Sequence, residues 1–400
     1  MNIFHTSSRI ILTCKKRLSL YLKQEVEALG FVPERVFSTG VELKGTMQDC
    51  IRLNLNLRCA SQVLFSLKEF RANSPEEVYN ALIVYPWEQI IPDEGYISVT
   101  SNVDHFTVNS DLFMNVKVKD AIADRIRRET AKRPDSGSEM DHTAINLYWK
   151  EEAAEIFIDT SGHTLAKHGY RKIPGKAPML EALAAGTVMA TTWDQKIPFI
   201  NPMCGSGTVA IEAVLIATHR SPGLYRSNYS FMHLKGYEKA MYTAEYKKLE
   251  DQIIEVPGLQ VIATDISEDA IYISKINAAE AGVEKLIQFS VCDFEATELP
   301  PAPGVVYFNP EYGERLGEFT ELESTYGHIG DFMKKKCGGY TGYVFTGNLD
   351  LAKKIGLRAS RRIEFYTSKI DCRLLEYELY AGSRREERAS LFPTTSPSTT

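Results

Sequence analysis

No apolar run in this 400-residue chain reaches the roughly 18 residues needed to cross a bilayer. The N-terminal stretch MNIFHTSSRIILTCKKRLSLYL has a short apolar patch but no small-residue cleavage site behind it, so a membrane or secreted protein is not expected. Cysteine is sparse: Cys14, Cys50, Cys59, Cys204, Cys292, Cys337 and Cys372 stand singly, with no CxxC spacing and an odd total. That is neither a disulfide framework nor a zinc ligand set, and reduced thiols in the cytoplasm are the expectation. No internal repeat is present, and the first half of the chain holds no glycine-rich nucleotide loop. Excess positive charge is also missing. With 46 Lys and Arg against 52 Asp and Glu the formal charge is −6, which excludes a protein that coats nucleic acid indiscriminately but leaves room for RNA on one basic face.

What is present is ordinary for a soluble globular chain, 44% hydrophobic and 24% charged, and the length suggests two or three domains. The first 160 residues alternate strand and helix patterns. RIILTC reads as a strand and RLSLYLKQEVEALG as an amphipathic helix stopped at Gly30. VFSTGVELKG reads as two short strands, and CIRLNLNLR alternates at period 2, the pattern of another strand. A helix is capped at Ser74, and DLFMNVKVKDAIADRIRRET is a second helix flanked by the strands YISVTSNV and TAINLYWK. DTSGHTLAKHGYRKIPGKAPML then breaks the composition with Gly, Pro, His, Lys and Arg, a linker leading into a helix with Pro178 in its first turn. From Pro198 to about Ala381 the order is strand, glycine loop, helix, insertion, strand, helix, strand, strand, the grammar of a doubly wound parallel sheet. The tail SRREERASLFPTTSPSTT lacks apolar periodicity and is expected to be disordered.

Four strand ends carry the chemistry. In PFINPMCGSGTVAIEAVLIA an apolar strand meets Gly205 and Gly207 before a helix opens at Thr208. Such a loop lets backbone approach a ligand and offers unpaired N–H groups, or is simply a glycine-rich turn. It is GxG without a third glycine or a Walker lysine, which speaks against hydride and phosphoryl chemistry. LQVIATDISEDA ends a strand at Asp265, placed to grip a ribose diol or to cap the next helix. Its distance from the glycine loop exceeds the usual spacing because an insertion rich in Tyr and Phe intervenes. LIQFSVCDFEAT leaves Asp293 at a third strand end, able to accept a bond from an adenine amino group. GVVYFNPEYGERLG delivers Asn309, Pro310 and Tyr312 to the same edge. The Asn309 carboxamide oxygen and the following backbone carbonyl can each accept one N–H of an exocyclic base amine. That would aim its lone pair at an electrophilic methyl, with Tyr312 stacking on the extruded base. The competing reading is an Asn-Pro turn with no ligand.

NPMCGSGTVAIEA, ATDIS, NPEYGERLG and the upstream DTSG-HTLAKHGYRK-IPGKAPMLEALAA together resemble the bacterial THUMP-domain RNA methyltransferases of the 23S rRNA guanine-N2 group, over roughly residues 1 to 381. The resemblance implies an α/β fold: a Rossmann-like S-adenosylmethionine (SAM) methyltransferase sheet at 179–382, preceded by an α+β half. That half would comprise a ferredoxin-like part (1–60) and a THUMP-like RNA-binding domain (61–165), with a linker at 166–178 and a tail at 383–400. It implies that Cys204, Gly205, Ser206, Gly207 and Thr208 line the methionine end of the cofactor. Asp265 would meet the ribose, Asp293 the adenine, and Asn309 and Pro310 the target amine, with Ile266 among the cofactor-binding residues. The segment Ala177-Pro178-Met179-Leu180 would border the pocket. The partner implied is RNA, 23S rRNA or a large-subunit assembly intermediate. One place departs from the family pattern: the usual Asn-Pro-Pro-Tyr loop has Glu311 third. Guanine-N2 methylation of tRNA, adenine-N6 methylation of RNA, and a non-catalytic RNA-binding or assembly factor are the competing readings.

RNA calls for exposed cations. Arg125, Arg127, Arg128 and Arg133 belong to a run of five cations in nine residues, and Lys167, Arg171 and Lys172 line the linker beside the expected site. Each cluster has an alternative as a solvated face. His163 and His168 sit near each other without cysteine partners, so no metal is expected.

Overall fold

The computed structural model describes residues 3–176, 178–311, 319–367 and 370–380. Ala177, Tyr312 and the 383–400 tail therefore lie outside the described residues. The chain divides into two compact units. One comprises Met1–Gly169, Leu180–Gly186 and His219–Ile254; the other comprises Tyr170–Met179, Thr187–Thr218 and Glu255–Thr400. No described helix is long and apolar enough to cross a membrane.

The first unit is built on an eight-stranded sheet. Its strands are β1 (Ser8–Cys14), β2 (Arg35–Phe37), β3 (Gly40–Gly45), β4 (Ala60–Arg71), β5 (Tyr96–Asp104), β6 (Asp135–Gly137), β7 (Thr143–Lys150) and β8 (Ala153–Asp159). They run in the order β2-β3-β1-β4-β8-β7-β5-β6, parallel only where β5 meets β6 and β7. The helices of the early chain are α1 (Ser19–Ala28), α2 (Met47–Asn56), α3 (Pro75–Ile83) and α4 (Asp111–Thr130).

Helix α2 corrects a sequence expectation, since it covers most of the segment whose alternation reads as a strand. A cap outweighs the pattern. Thr46 Oγ1 accepts the Asp49 N–H at 3.2 Å while the Asp49 carboxylate accepts the Thr46 N–H at 2.7 Å, a reciprocal box that satisfies two otherwise orphaned donors. Leu53, Leu55 and Leu57 are all buried, and so is Asn54, which donates to Cys50 O and to Thr160 Oγ1. A segment enclosed on most sides cannot sort inward from outward residues, so its periodicity carries little information. β4 directly follows it and goes unread in the sequence, since its buried residues form a run from Val63 to Ser66 and do not alternate.

After α4 come α5 (Glu181–Met189), α6 (Thr208–Ala217), α7 (Lys239–Asp251), α8 (Glu268–Glu280), α9 (Phe319–Lys336) and α10 (Leu349–Lys354). The helix expected to include Pro178 in its first turn opens at Glu181 instead; the Ala184 N–H donates to Leu180 O at 2.9 Å, leaving Pro178 ahead of the hydrogen-bonded pattern.

The second unit holds β9 (Phe199–Pro202), β10 (Val261–Asp265), β11 (Ile287–Val291), β12 (Gly304–Phe308), β13 (Tyr340–Thr346), β14 (Arg361–Thr367) and β15 (Ile370–Glu378). Their order is β11-β10-β9-β12-β13-β15-β14, with the first five parallel and β15 antiparallel to both neighbours. The parallel strands read as near-continuous apolar runs because both faces are covered. On one face Ile200, Val306, Phe308 and Val344 meet Tyr326, Ile329, Phe332 and Met333 of α9. Phe308, Phe294 and Phe332 form three mutual edge-to-face contacts at 5.9–6.0 Å, fixing the base of the β12 end.

Within the first unit, β8 ends on a fully buried Asp159. Its carboxylate accepts the Ser161 and Gly162 N–H groups at 3.0 and 3.3 Å and Gln62 Nε2 at 2.6 Å. Burial nevertheless pushes this carboxyl up to about 7, against those bonds. A raised carboxyl pKa favours the protonated group in the folded state, so its contribution is fully present below the unfolded value near 4 and is lost as pH rises through 7. We expect Asp159→Asn to gain stability relative to the parent as pH rises from about 4 to about 7, read as a difference between denaturant melts. A pH-independent difference would show that Asp159 folds ionised.

Candidate active site

The parallel strands β9 and β12 pair only at Phe199 with Val305 and Ile200 with Val306. Beyond that point the backbone ladder stops. The side chain of Asn201, 1% exposed, spans the gap instead, donating from Nδ2 to Tyr307 O at 2.9 Å. This is the switch point of the sheet: β9 and β12 are neighbours whose onward connections lead to opposite edges, and the crevice outside their carboxyl ends is where such folds take ligands. Asn201 Oδ1 is buried there without a hydrogen-bond partner among the described residues.

Four strand ends border this crevice. At strand spacings of about 4.8 Å they span roughly 15 Å from β11 to β12. At the end of β9, Gly205 and Gly207 are both left-handed, with φ of +56° and +78°. A Cβ on Gly207 would come within 3.0 Å of Ser274, whereas a Cβ on Gly205 would meet nothing within 4 Å. Gly205 therefore presents backbone to open space. Gly205 N–H donates to Asp265 Oδ2 at 2.9 Å, and Cys204 N–H donates to Thr264 O at 2.9 Å, so the glycine loop and the β10 end are joined directly. The other Asp265 oxygen accepts Ser267 N–H at 3.0 Å. Ile266 beside it is 73% exposed and Val291 at the end of β11 is 50% exposed, an apolar surface flanking the carboxylate. Asp293 is exposed and accepts Glu295 N–H at 2.8 Å. At the end of β12, Asn309 is half-buried, Pro310 buried and Glu311 exposed.

Burial and the nearby Asp265 carboxylate push the Cys204 thiol up to about 12. That direction favours the protonated thiol over a nucleophilic thiolate.

The sequence reading missed the residues that brace the loop. Ser274 and Asn277 of α8 are fully buried. Ser274 Oγ donates to Gly205 O at 2.7 Å. Asn277 is fully engaged: Oδ1 accepts the N–H groups of Lys172 and Ile173 at 3.0 and 3.1 Å, and Nδ2 donates to Ile173 O and Ser206 O at 2.9 and 3.2 Å. One side chain thereby ties the 172–173 segment to the glycine loop. The available signal was two polar residues, three apart, on the face where α8 otherwise buries Ile271 and Ala278.

The structure distributes the expected RNA-contacting cations differently from one another. Arg171 turns toward the glycine loop, donating to Thr208 Oγ1 at 2.8 Å and to Met179 O. The Lys172 ammonium lies 3.6 Å from Glu280. Arg125 forms a two-pronged pair with Glu88 at 2.9 and 3.0 Å, Arg127 pairs with Asp124, Arg128 with Glu129, and Arg133 with Asp120. Lys167 is exposed, and Pro178 half-buried. His163 bonds Asp141 and the buried His168 bonds Arg58 O; among the described residues no cluster of three metal-ligating side chains occurs.

Residues 168–376 match the family model of the RMKL-like methyltransferase domain, residues 9–64 that of the RlmL ferredoxin-like domain, and residues 72–159 that of the THUMP domain. Over 379 residues the chain is 32% identical to a ribosomal RNA large subunit methyltransferase K/L of Syntrophotalea carbinolica, covering 92% of this chain and 53% of that protein. The chain thus spans about half the length of the curated relatives it matches. A solved structure of a possible methylase from Clostridium difficile 630 is 26% identical with a TM-score of 0.85, over 95% of this chain and 100% of that one. Another, from Listeria monocytogenes str. 4b F2365 and named a predicted N6-adenine-specific DNA methylase, is 29% identical with a TM-score of 0.84, over 94% and 97%.

We expect Asn277→Ala to cost about 3 kcal/mol, because it strands at least two N–H groups and one carbonyl in a buried brace. A denaturant melt checks this, and a loss below about 0.5 kcal/mol would remove Asn277 from that role.

Proposed function

Since the chain belongs to the family of RMKL-like methyltransferase domains, we propose that it is a SAM-dependent RNA methyltransferase that transfers a methyl group to the exocyclic N2 of a guanine in 23S rRNA. The observation that carries the reading is the adjacency of two strand ends: the glycine loop closes β9, and Asn309 with Pro310 closes β12 beside it.

The residues present fit the cofactor. The open backbone at Gly205 suits a close approach by the methionine end, and the buried, unpaired Asn201 Oδ1 is an acceptor suited to an ammonium. The Asp265 carboxylate at the β10 end would take the ribose hydroxyls. Exposed Ile266 and Val291 offer apolar contact to an adenine ring, and the free oxygen of Asp293 its amino group. Pro178 and its neighbours would border the same pocket. When bound, SAM supplies an electrophilic methyl on a sulfonium.

The protein's own task is positional. A guanine N2 lone pair is delocalised into the ring and is a poor nucleophile. Asn309 Oδ1 and the Pro310 carbonyl would each accept one N2–H, turning the lone pair toward the methyl and dispersing charge as it grows. Tyr312 is proposed to stack on the flipped base. Of the expected RNA contacts, exposed Lys167 is best placed to take a phosphate without breaking an ion pair, whereas Arg125 and Arg171 are committed within the fold. Arg127, Arg128, Arg133 and Lys172 would have to exchange an acidic partner for RNA.

A second reading, adenine-N6 methylation, is favoured by the name of the Listeria relative, since an Asn-Pro loop accepts any planar exocyclic amine. Nucleoside mass spectrometry of rRNA labelled from SAM separates the two by product. We expect Asp265→Ala to weaken binding of S-adenosylhomocysteine, the product form of SAM, by roughly 10- to 100-fold in calorimetry. Undiminished affinity would remove the ribose assignment. Asn309→Ala should keep that affinity while kcat falls by roughly 100- to 1000-fold. Full turnover in that variant would end the amine-orienting role.

A further inference from the structure

We propose that Glu311 reads the Watson–Crick edge of the acceptor base and restricts this site to guanine, an inference that rests on the guanine-N2 reading above. Phe308, fully buried within its aromatic trio, fixes where β12 ends. Burial then changes residue by residue, from half-buried Asn309 through buried Pro310 to exposed Glu311. The other acids at the strand ends are engaged: Asp265 accepts the N–H groups of Gly205 and Ser267, and Asp293 that of Glu295. Among the described residues no side chain or N–H group pairs with the Glu311 carboxylate. It is a charge held one residue from the amine-binding carbonyl with nothing on the described surface to neutralise it.

The two acceptors at Asn309 and Pro310 cannot tell one base amine from another, because guanine N2, adenine N6 and cytosine N4 all offer two N–H donors. What differs is the ring atom beside the amine. In guanine it is N1–H, a donor. In adenine and cytosine it is a bare ring nitrogen, an acceptor. A carboxylate next to the amine site accepts from N1–H in guanine. Against the other two bases it sets lone pair against lone pair, so the same group attracts one substrate and repels its competitors. A charge-assisted bond of this kind is worth roughly 10- to 100-fold. A proline at this place would offer no side-chain acceptor, so this mode of discrimination depends on the glutamate.

The test compares base analogues at the guanine that the full-length protein methylates in a large-subunit rRNA fragment. 2-Aminopurine keeps the N2 amine but replaces N1–H with a lone pair. We expect the parent protein to prefer guanine over 2-aminopurine by roughly 100-fold or more in kcat/KM. Glu311→Ala should lower the guanine value by roughly 10- to 100-fold, raise that of 2-aminopurine as the repulsion is relieved, and leave affinity for S-adenosylhomocysteine unchanged. Glu311→Gln, whose amide can either accept from N1–H or donate to a bare N1, should recover part of the guanine rate and raise that of 2-aminopurine. Equal losses on both substrates, or no loss on either, would overturn the role of Glu311 while leaving guanine-N2 methylation standing. Methylation of adenine N6 by the parent protein would overturn both.

Discussion

The candidate site depends on two strands that stop pairing. β9 and β12 share a ladder only as far as Ile200 and Val306, and past it a single side-chain bond from Asn201 to Tyr307 O keeps them in register. Had the ladder continued, the backbone groups of the two strand ends would face each other and no crevice would open between the glycine loop and the Asn-Pro pair. A side chain achieves what a ladder bond cannot: it holds the separation while leaving both chain ends free to turn outward. The buried amide has a further oxygen with no partner among the described residues, a cost that structural needs alone do not explain.

Positional chemistry demands a stiff frame, and the buried polar groups of the second unit supply it. Under the proposed function the transfer is direct, and there a displacement of about 1 Å can cost 100-fold. Ser274 and Asn277 meet that demand on one side of the crevice by fixing Gly205, Ser206 and the 172–173 segment. The Phe294, Phe308 and Phe332 contacts meet it on the other, beneath the β12 end. Arg171 belongs to the same frame. Its bonds to Thr208 and Met179 O make it a strut, and a guanidinium committed to two protein partners is poorly suited to release them for a phosphate.

The strand ends were legible in the sequence because their chemistry is local. A glycine pair, an acid closing an apolar run and an Asn-Pro dipeptide each announce themselves within a few residues, and the doubly wound order places them on one edge. α2 was not legible, since a cap at Thr46 and enclosure on most sides outweigh an accidental alternation. The expected RNA-contacting cations are a different case. Arg127, Arg128 and Arg133 meet Asp124, Glu129 and Asp120, acids of α4 itself, whereas Arg125 meets Glu88 from 37 positions away. Charge balance is a property of surfaces, and only the nearest partners can be read along the chain. Asn277 was missed because its four partners come from two distant segments.

The same distinction bears on how an amine-binding loop acquires specificity. The two acceptors proposed at Asn309 Oδ1 and the Pro310 carbonyl are generic, since any planar amine satisfies them. On the proposed reading, discrimination comes from a neighbouring position that faces the rest of the base. In this chain the residue after Pro310 is exposed while Pro310 itself is buried, so the two requirements fall on adjacent residues with opposite structural constraints. On the proposed reading, buried Pro310 and exposed Glu311 put the room for change in substrate choice one residue beyond the amine-binding pair.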